Sequence, residues 1–331
     1  MAATCAWCSA PRETGTTCPR CGAIYDKAEA IKSVGRAAAV AQPQVVVEDV
    51  DAPGLVYTEE APDEWRAVDD PELERKFCLA AIPVALCVAV LFNVSGLGHA
   101  LQRLFLTMPV HEFGHAVTAW FCGFGAIPTL WKTVVFGEER AIVAPLALAG
   151  AIGFMVYRAY GADRLPLVYA GCALILLQAI ATLGTNEDTA RMLISFGGDG
   201  AGMVLATLLM GSFFFGKNTQ LYRGSVRWGL VVIGAASFID MYGTWWKARN
   251  DDQAIPYGTT GGMATDAMTL MDEYGWSAQV LVSRYLVLGA CCLVALALVY
   301  ARGVWRAGAE IEARQARRQR AEREKRKRAA T

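Results

Sequence analysis

Histidine is nearly missing from this chain: there are three in 331 residues. Net charge is missing too, with 31 basic residues against 31 acidic ones. Only 19% of the residues are charged, 54% are hydrophobic and the mean hydropathy is +0.31. Soluble domains are usually less apolar. The charge balance is one of segregated blocks. Residues 48–74 are acidic ("EDVDAPGLVYTEEAPDEWRAVDDPELE"), residues 302–328 are basic ("RGVWRAGAEIEARQARRQRAEREKRKR"), and the stretch between them is apolar. That pattern argues against an evenly polar soluble domain and for a membrane core with polar ends. No cleavable signal peptide is visible: the first twenty residues hold cysteines and polar residues in place of a basic region followed by an apolar one. Targeting is therefore expected from an internal span. A disulfide framework is disfavoured although there are ten cysteines, because Cys78, Cys87, Cys122, Cys172, Cys291 and Cys292 lie in apolar runs, where cysteine behaves as a small hydrophobe.

The other four cysteines cluster in "CAWCSAPRETGTTCPRCG". Cys5, Cys8, Cys18 and Cys21 form two C-x2-C knuckles nine residues apart. Each knuckle aims two thiolates at one point, and two knuckles complete a tetrahedral zinc site. Four thiolates leave no open position, so this zinc is structural; a module of residues 1–30 is too small for a core of its own and needs the metal to fold. A redox pair is the rival. Residues 31–76 are expected to be an acidic flexible linker. Residues 77–301 form a membrane domain and 302–331 a basic charged tail, read as a solvated helix.

Seven apolar segments run over about 77–98, 104–124, 141–157, 165–184, 192–216, 227–246 and 281–301. A span needs about 20 apolar residues, with about 17 as the lower limit. Residues 141–157 are the shortest and carry Pro145. With the β-branched stretch before them, 126–157 is expected to be a short hairpin plus a re-entrant or partial span, of the kind tolerated only when buried in protein or lining a cavity.

Two of the three histidines stand in "VHEFGHAVTAWFCG", inside an apolar segment. There an ionisable residue is a functional hypothesis by default. His111 and His115 are four apart, so on a helix both imidazoles share one face and can grip one metal ion. Glu112 is placed to take a proton from a metal-bound water whose pKa zinc lowers to about 7. The bland reading is a set of side chains hydrogen-bonded to neighbouring helices. His99, at the end of the first segment, is expected at an interface.

The stretch resembles the H-E-x-x-H-A-x-x-A-x-x-x-G signature of the site-2 protease family of intramembrane zinc metalloproteases. His111, Glu112, His115, Ala116, Ala119 and Gly123 match it. The small residues suit close helix packing. The resemblance covers about 104–216 and implies a third zinc ligand from an aspartate before a glycine in a later span. "FGGDG" supplies Asp199 before Gly200, with glycine where the family has leucine. Depth points the same way: His111 is seven residues from Leu104 and Asp199 seven from Met192, each roughly 10 Å deep at 1.5 Å per residue. Glu187, Asp188 and Asp240 are rival ligands; the first two fit better as a helix N-terminus, and an acid placed like Asp240 is more often a polar contact between helices or near an interface.

For His111 and Asp199 to meet at that depth their segments must run the same way, so one of 141–157 and 165–184 fails to cross, and 141–157 is the shorter. The expected fold is thus an α-helical polytopic membrane protein of six crossings plus a re-entrant segment, with a small N-terminal zinc ribbon. The basic tail puts the C-terminus in the cytoplasm, and the composition leans towards a bacterial inner membrane. The resemblance implies a zinc metalloendopeptidase with one catalytic and one structural Zn2+, acting on a membrane protein or peptide substrate in the lipid bilayer. The zinc ribbon would serve a protein partner; nucleic acid is not expected. The alternative is a non-catalytic membrane protein with structural zinc and a partner-binding ribbon. Hydrolysis of a non-peptide bond uses the same water activation.

Overall fold

The computed structural model describes residues 11, 14, 16–19, 24–26, 70–137, 139–141, 143–216, 219–223, 225–260 and 263–329. The chain divides into two units, Met1–Pro62 and Asp63–Thr331. In the first, Thr17 and Ile24 form an antiparallel bridge, the Tyr25 N–H donates to the Thr16 carbonyl at 3.1 Å, and Cys18 and Tyr25 are buried. Cys5, Cys8 and Cys21 of the expected ribbon, and the linker as far as residue 69, lie outside the described residues.

The second unit is helical. Helix α1 (Pro71–Val94) begins within the segment expected to be linker. Its start has a local cause: Asp70 accepts from the Glu72 N–H at 2.9 Å and Pro71 occupies the first turn. Ser95 ends α1 and caps α2 (Gly96–Gln102). The chain then runs on through a π-helical turn (Arg103–Thr107) into α3 (Met108–Phe121). Gly123, at φ +91°, turns the chain out of α3 in the left-handed conformation that favours glycine. An antiparallel hairpin follows, β1 (Gly125–Pro128) with β2 (Thr133–Phe136), Gly125 facing Phe136 and Pro128 facing Thr133. Next come α4 (Val143–Tyr160), α5 (Leu165–Leu183), α6 (Glu187–Gly211), the short α7 (Gln220–Arg223) and α8 (Val226–Ala248). Two-residue strands β3 (Thr259–Thr260) and β4 (Met263–Ala264) pair antiparallel, α9 (Asp266–Asp272) follows, and α10 (Ala278–Ala329) closes the chain. The charged tail is thus a direct continuation of the last apolar helix.

Five of these helices are long and apolar enough to cross a membrane: α1, α4, α5, α6 and α10. α8 has similar length but carries Arg227 and Asp240. Large apolar side chains stand on the outside, such as Leu146 (66% exposed), Tyr157 (73%) and Leu183 (84%). Monomeric soluble proteins rarely show so much apolar surface, and a lipid environment accommodates it.

The expected partial span is different in the structure. The hairpin is present, but Val143–Tyr160 is a complete helix, and it packs antiparallel on α5, with Gln178 donating to the Pro145 carbonyl at one end and Gly171 against Val156 further along. The same-direction requirement is also corrected. Thr118 lies by Gly197 and His111 by Gly202, while Arg191 stacks over Phe124 at 5.3 Å, so α3 and α6 are antiparallel. The helices begin at Gly96 and Glu187, ahead of the Leu104 and Met192 at which the apolar segments begin. His111 and Asp199 are therefore both near mid-length, where helices meet in either sense. The Gly96–Phe121 run starts beside the middle of α8, where His99 and Arg103 contact Asp240. It ends by the first turns of α6, and it is not among the five spanning candidates.

α6 lies at the centre. α8 runs antiparallel to it (Gly234 by Ala206, Trp245 by Asp199) and α10 runs parallel (Tyr285 on Phe196, Val299 by Gly211). α1 runs parallel to α8, from Phe77 on Trp228 to Asn93 at Asp240. α1 thus begins, and the apolar part of α10 ends, at the same end of the bundle. Met203, Ala206, Met210, Phe238 and Met241 are fully buried between α6 and α8. A second cluster (Ala116, Ala119, Cys122, Phe124, Ala126, Ala190) joins α3, the hairpin and the start of α6.

Candidate metal centre

The small residues of α3 and α6 are what let the two helices meet. A Cβ on Gly114 would lie 2.5 Å from the Gly197 carbonyl oxygen and 2.7 Å from that of Gly198, so backbone faces backbone. Gly198 lies directly beneath the imidazoles of His111 and His115. The glycines around Asp199 thus serve close approach, and α6 passes through them as unbroken helix.

Hydrogen bonding sets the tautomer of each imidazole. Nδ1 of His115 is 2.7 Å from the Ile194 carbonyl, which can only accept, so this nitrogen carries the proton. Nδ1 of His111 is 2.8 Å from Asp199 Oδ1 and donates to it. The other Asp199 oxygen accepts from Trp245 Nε1–H at 2.7 Å. Trp245 stacks on Tyr285 with ring centres 4.1 Å apart, and Tyr285 stacks on Phe196 at 4.5 Å. This aromatic ladder packs beside the carboxylate.

In the neutral rings the two Nε2 atoms are therefore the lone pairs open to a metal, and they face each other at 3.2 Å. Asp266 Oδ2 joins them, 3.2 Å from His111 Nε2 and 3.1 Å from His115 Nε2. Three ligand atoms converge within 3.2 Å of one another. A tetrahedral metal with bonds of about 2.0–2.1 Å would separate its ligands by about 3.3 Å, so the triangle has the dimensions of a metal site. The donor set, two imidazoles and a carboxylate, suits zinc among other divalent ions.

Glu112 lines the same cleft, of 630 Å³. It is 6% exposed and accepts from the Thr133 hydroxyl of β2 at 2.8 Å; that hydroxyl also lies 2.6 Å from the Glu112 carbonyl oxygen and serves one acceptor at a time. Trp131 and Lys132 of the hairpin form part of the cleft wall.

The residues predicted from sequence therefore fall in two groups. His111, Glu112, His115 and Asp199 come together, with Asp199 on the far side of the His111 ring from Nε2. Asp240 is elsewhere: fully buried, it holds His99 Nε2 at 2.7 Å and Arg103 at 3.0 Å as a polar contact between helices. Glu187 and Asp188 lie in the first turn of α6 behind the Asn186 cap. Asp266, Trp245 and Thr133 are the site residues that sequence reasoning missed. Asp266 follows His111 by 155 positions and no spacing links the two. Comparison with models of protein families, with curated proteins and with solved structures returns no match.

Proposed function

We propose that the protein is a membrane-embedded zinc metalloprotease that hydrolyses peptide bonds of membrane-associated substrates. The observation that carries this reading is the convergence of His111 Nε2, His115 Nε2 and a carboxylate oxygen within 3.1–3.2 Å, beside a buried glutamate in one cleft. The signature shared with the site-2 proteases supports it. His111 and His115 would hold the ion together with an acidic ligand. Bound there, a divalent metal supplies Lewis acidity, which lowers the pKa of water and polarises a carbonyl. Glu112 would take the proton of the attacking water and return it to the leaving amine. Thr133 holds the glutamate against the hairpin, so that it faces the cleft. A structural zinc on Cys5, Cys8, Cys18 and Cys21 belongs to the same reading.

Glu112→Gln tests it. The amide keeps the shape and removes the base. Detergent-purified protein should keep its His111-dependent zinc and lose cleavage of a quenched fluorogenic apolar peptide by about 10²–10⁴-fold. Undiminished cleavage by the variant would refute the assignment. A wild type without His111-dependent zinc would favour the non-catalytic alternative.

A further inference from the structure

We infer that the third metal ligand is Asp266, carried by the connection between α8 and α10, and that Asp199 with Trp245 is a positioning pair behind His111. This rests on the metalloprotease reading of the site and goes beyond the family resemblance, which implies Asp199 as the ligand.

Asp199 is already occupied. Both of its oxygens are engaged by N–H donors: Oδ1 by His111 Nδ1 at 2.8 Å, Oδ2 by Trp245 Nε1 at 2.7 Å. To ligate, it would have to leave the Nδ1 side of the His111 ring, and so release the donor on the very imidazole it would join at the metal. In its present place it does what an outer carboxylate does for a metal-bound histidine: it fixes the tautomer, orients the ring and raises its basicity. His115 receives the same service from the Ile194 carbonyl at 2.7 Å. Each imidazole thus has one buried acceptor behind it, and both present Nε2 to one point.

Asp266 has the opposite arrangement. Its Oδ2 faces both Nε2 atoms at 3.1 and 3.2 Å, and its side chain is 31% exposed, so it stands at the open side of the cleft. It is the first residue of α9, whose Ala267 and Leu270 are buried in the core shared with α6 and α10. Two ligands therefore come from one buried helix and the third from a seven-residue helix between two longer ones. Bound metal would join these parts, and fasten α9 across the mouth of the cleft.

The experiment uses the detergent-purified full chain and zinc itself, with competition against a chromophoric chelator and hydrogen exchange in residues 266–277. Asp266→Ala is expected to abolish the zinc that His111→Ala also abolishes. Asp199→Asn and Trp245→Phe, which keep shape and stacking, should retain that zinc with affinity about 10–100-fold weaker. Zinc at 100 times its Kd should slow exchange in α9 about 100-fold in the wild type. The same protection should appear in Asp199→Asn at saturating zinc, and none in Asp266→Ala. If Asp266→Ala holds zinc like the wild type while Asp199→Asn loses it, this assignment fails and the metalloprotease reading stands. If the wild type holds no His111-dependent zinc, both fall.

Discussion

Gly198→Ala isolates the packing of the site from the stability of the helix. A methyl group at Gly198 would lie 2.5 Å from His111 Cε1, 2.6 Å from His115 Nε2 and 2.8 Å from His111 Nε2. Carbon contacts are favourable at about 3.5–4.0 Å, so the rings must withdraw by about 1 Å. Metal–ligand distances tolerate only about 0.2 Å. The helix itself favours the change, since replacing an interior glycine by alanine stabilises by about 0.5–1 kcal/mol. Overpacking costs about 1–3 kcal/mol. Global stability should therefore move little, by about 0–2.5 kcal/mol in the unfavourable direction, while zinc affinity falls at least about 100-fold, or about 2.7 kcal/mol. Chelator competition reads the affinity and thermal unfolding in detergent reads the stability. Gly153→Ala, inside α4 with nothing within 4 Å, is the control: it should stabilise by about 0.5–1 kcal/mol and leave zinc affinity unchanged. A Gly198→Ala protein that binds zinc like the wild type would refute the geometry. So would an affinity loss no larger than the loss of folded protein.

Other perturbations test separate parts of the molecule. Glu74 and Arg227 form a buried pair with two hydrogen bonds, at 2.7 and 3.0 Å, joining the start of α1 to α8. Arg227→Ala should cost about 3–5 kcal/mol of stability, measured by unfolding in detergent, and Glu74→Leu with Arg227→Met should recover most of it, because the damage comes from the charge left behind. Gly114→Ala drives a methyl into two backbone carbonyls that cannot rotate away; it should lower the melting temperature more than Gly198→Ala does. Deleting residues 1–30 should remove one zinc per chain by elemental analysis and leave the His111-dependent zinc in place.

Much of this protein is legible in one dimension because its determinants are local. The H-E-x-x-H spacing matches the helical repeat, so His111 and His115 share a face in any helix that forms there. The apolar runs exceed the bilayer requirement, and the asparagine before Glu187 caps a helix by its own side chain. Asp240 reads correctly as an interhelical polar contact, since a buried carboxylate in a long apolar helix needs cationic or hydrogen-bonding neighbours wherever they come from. The closeness of His111 and Asp199 is foreseen as well, through the family resemblance, though not the antiparallel way in which their helices meet.

The tertiary structure decided what those residues do to each other. Sequence spacing carries no information on whether α3 and α6 meet parallel or antiparallel, because both contact points lie near mid-helix. It also cannot tell which oxygen faces which nitrogen. The N–H of Trp245 and Nδ1 of His111 together occupy Asp199, and that depends on α8 lying antiparallel to α6. Asp266 becomes a candidate ligand only because α9 packs its Ala267 and Leu270 into the α6–α10 core, which carries a carboxylate 155 residues along the chain to within 3.2 Å of an imidazole. Helix faces, caps and span lengths follow from nearest neighbours along the chain; partners brought together across it are chosen by packing.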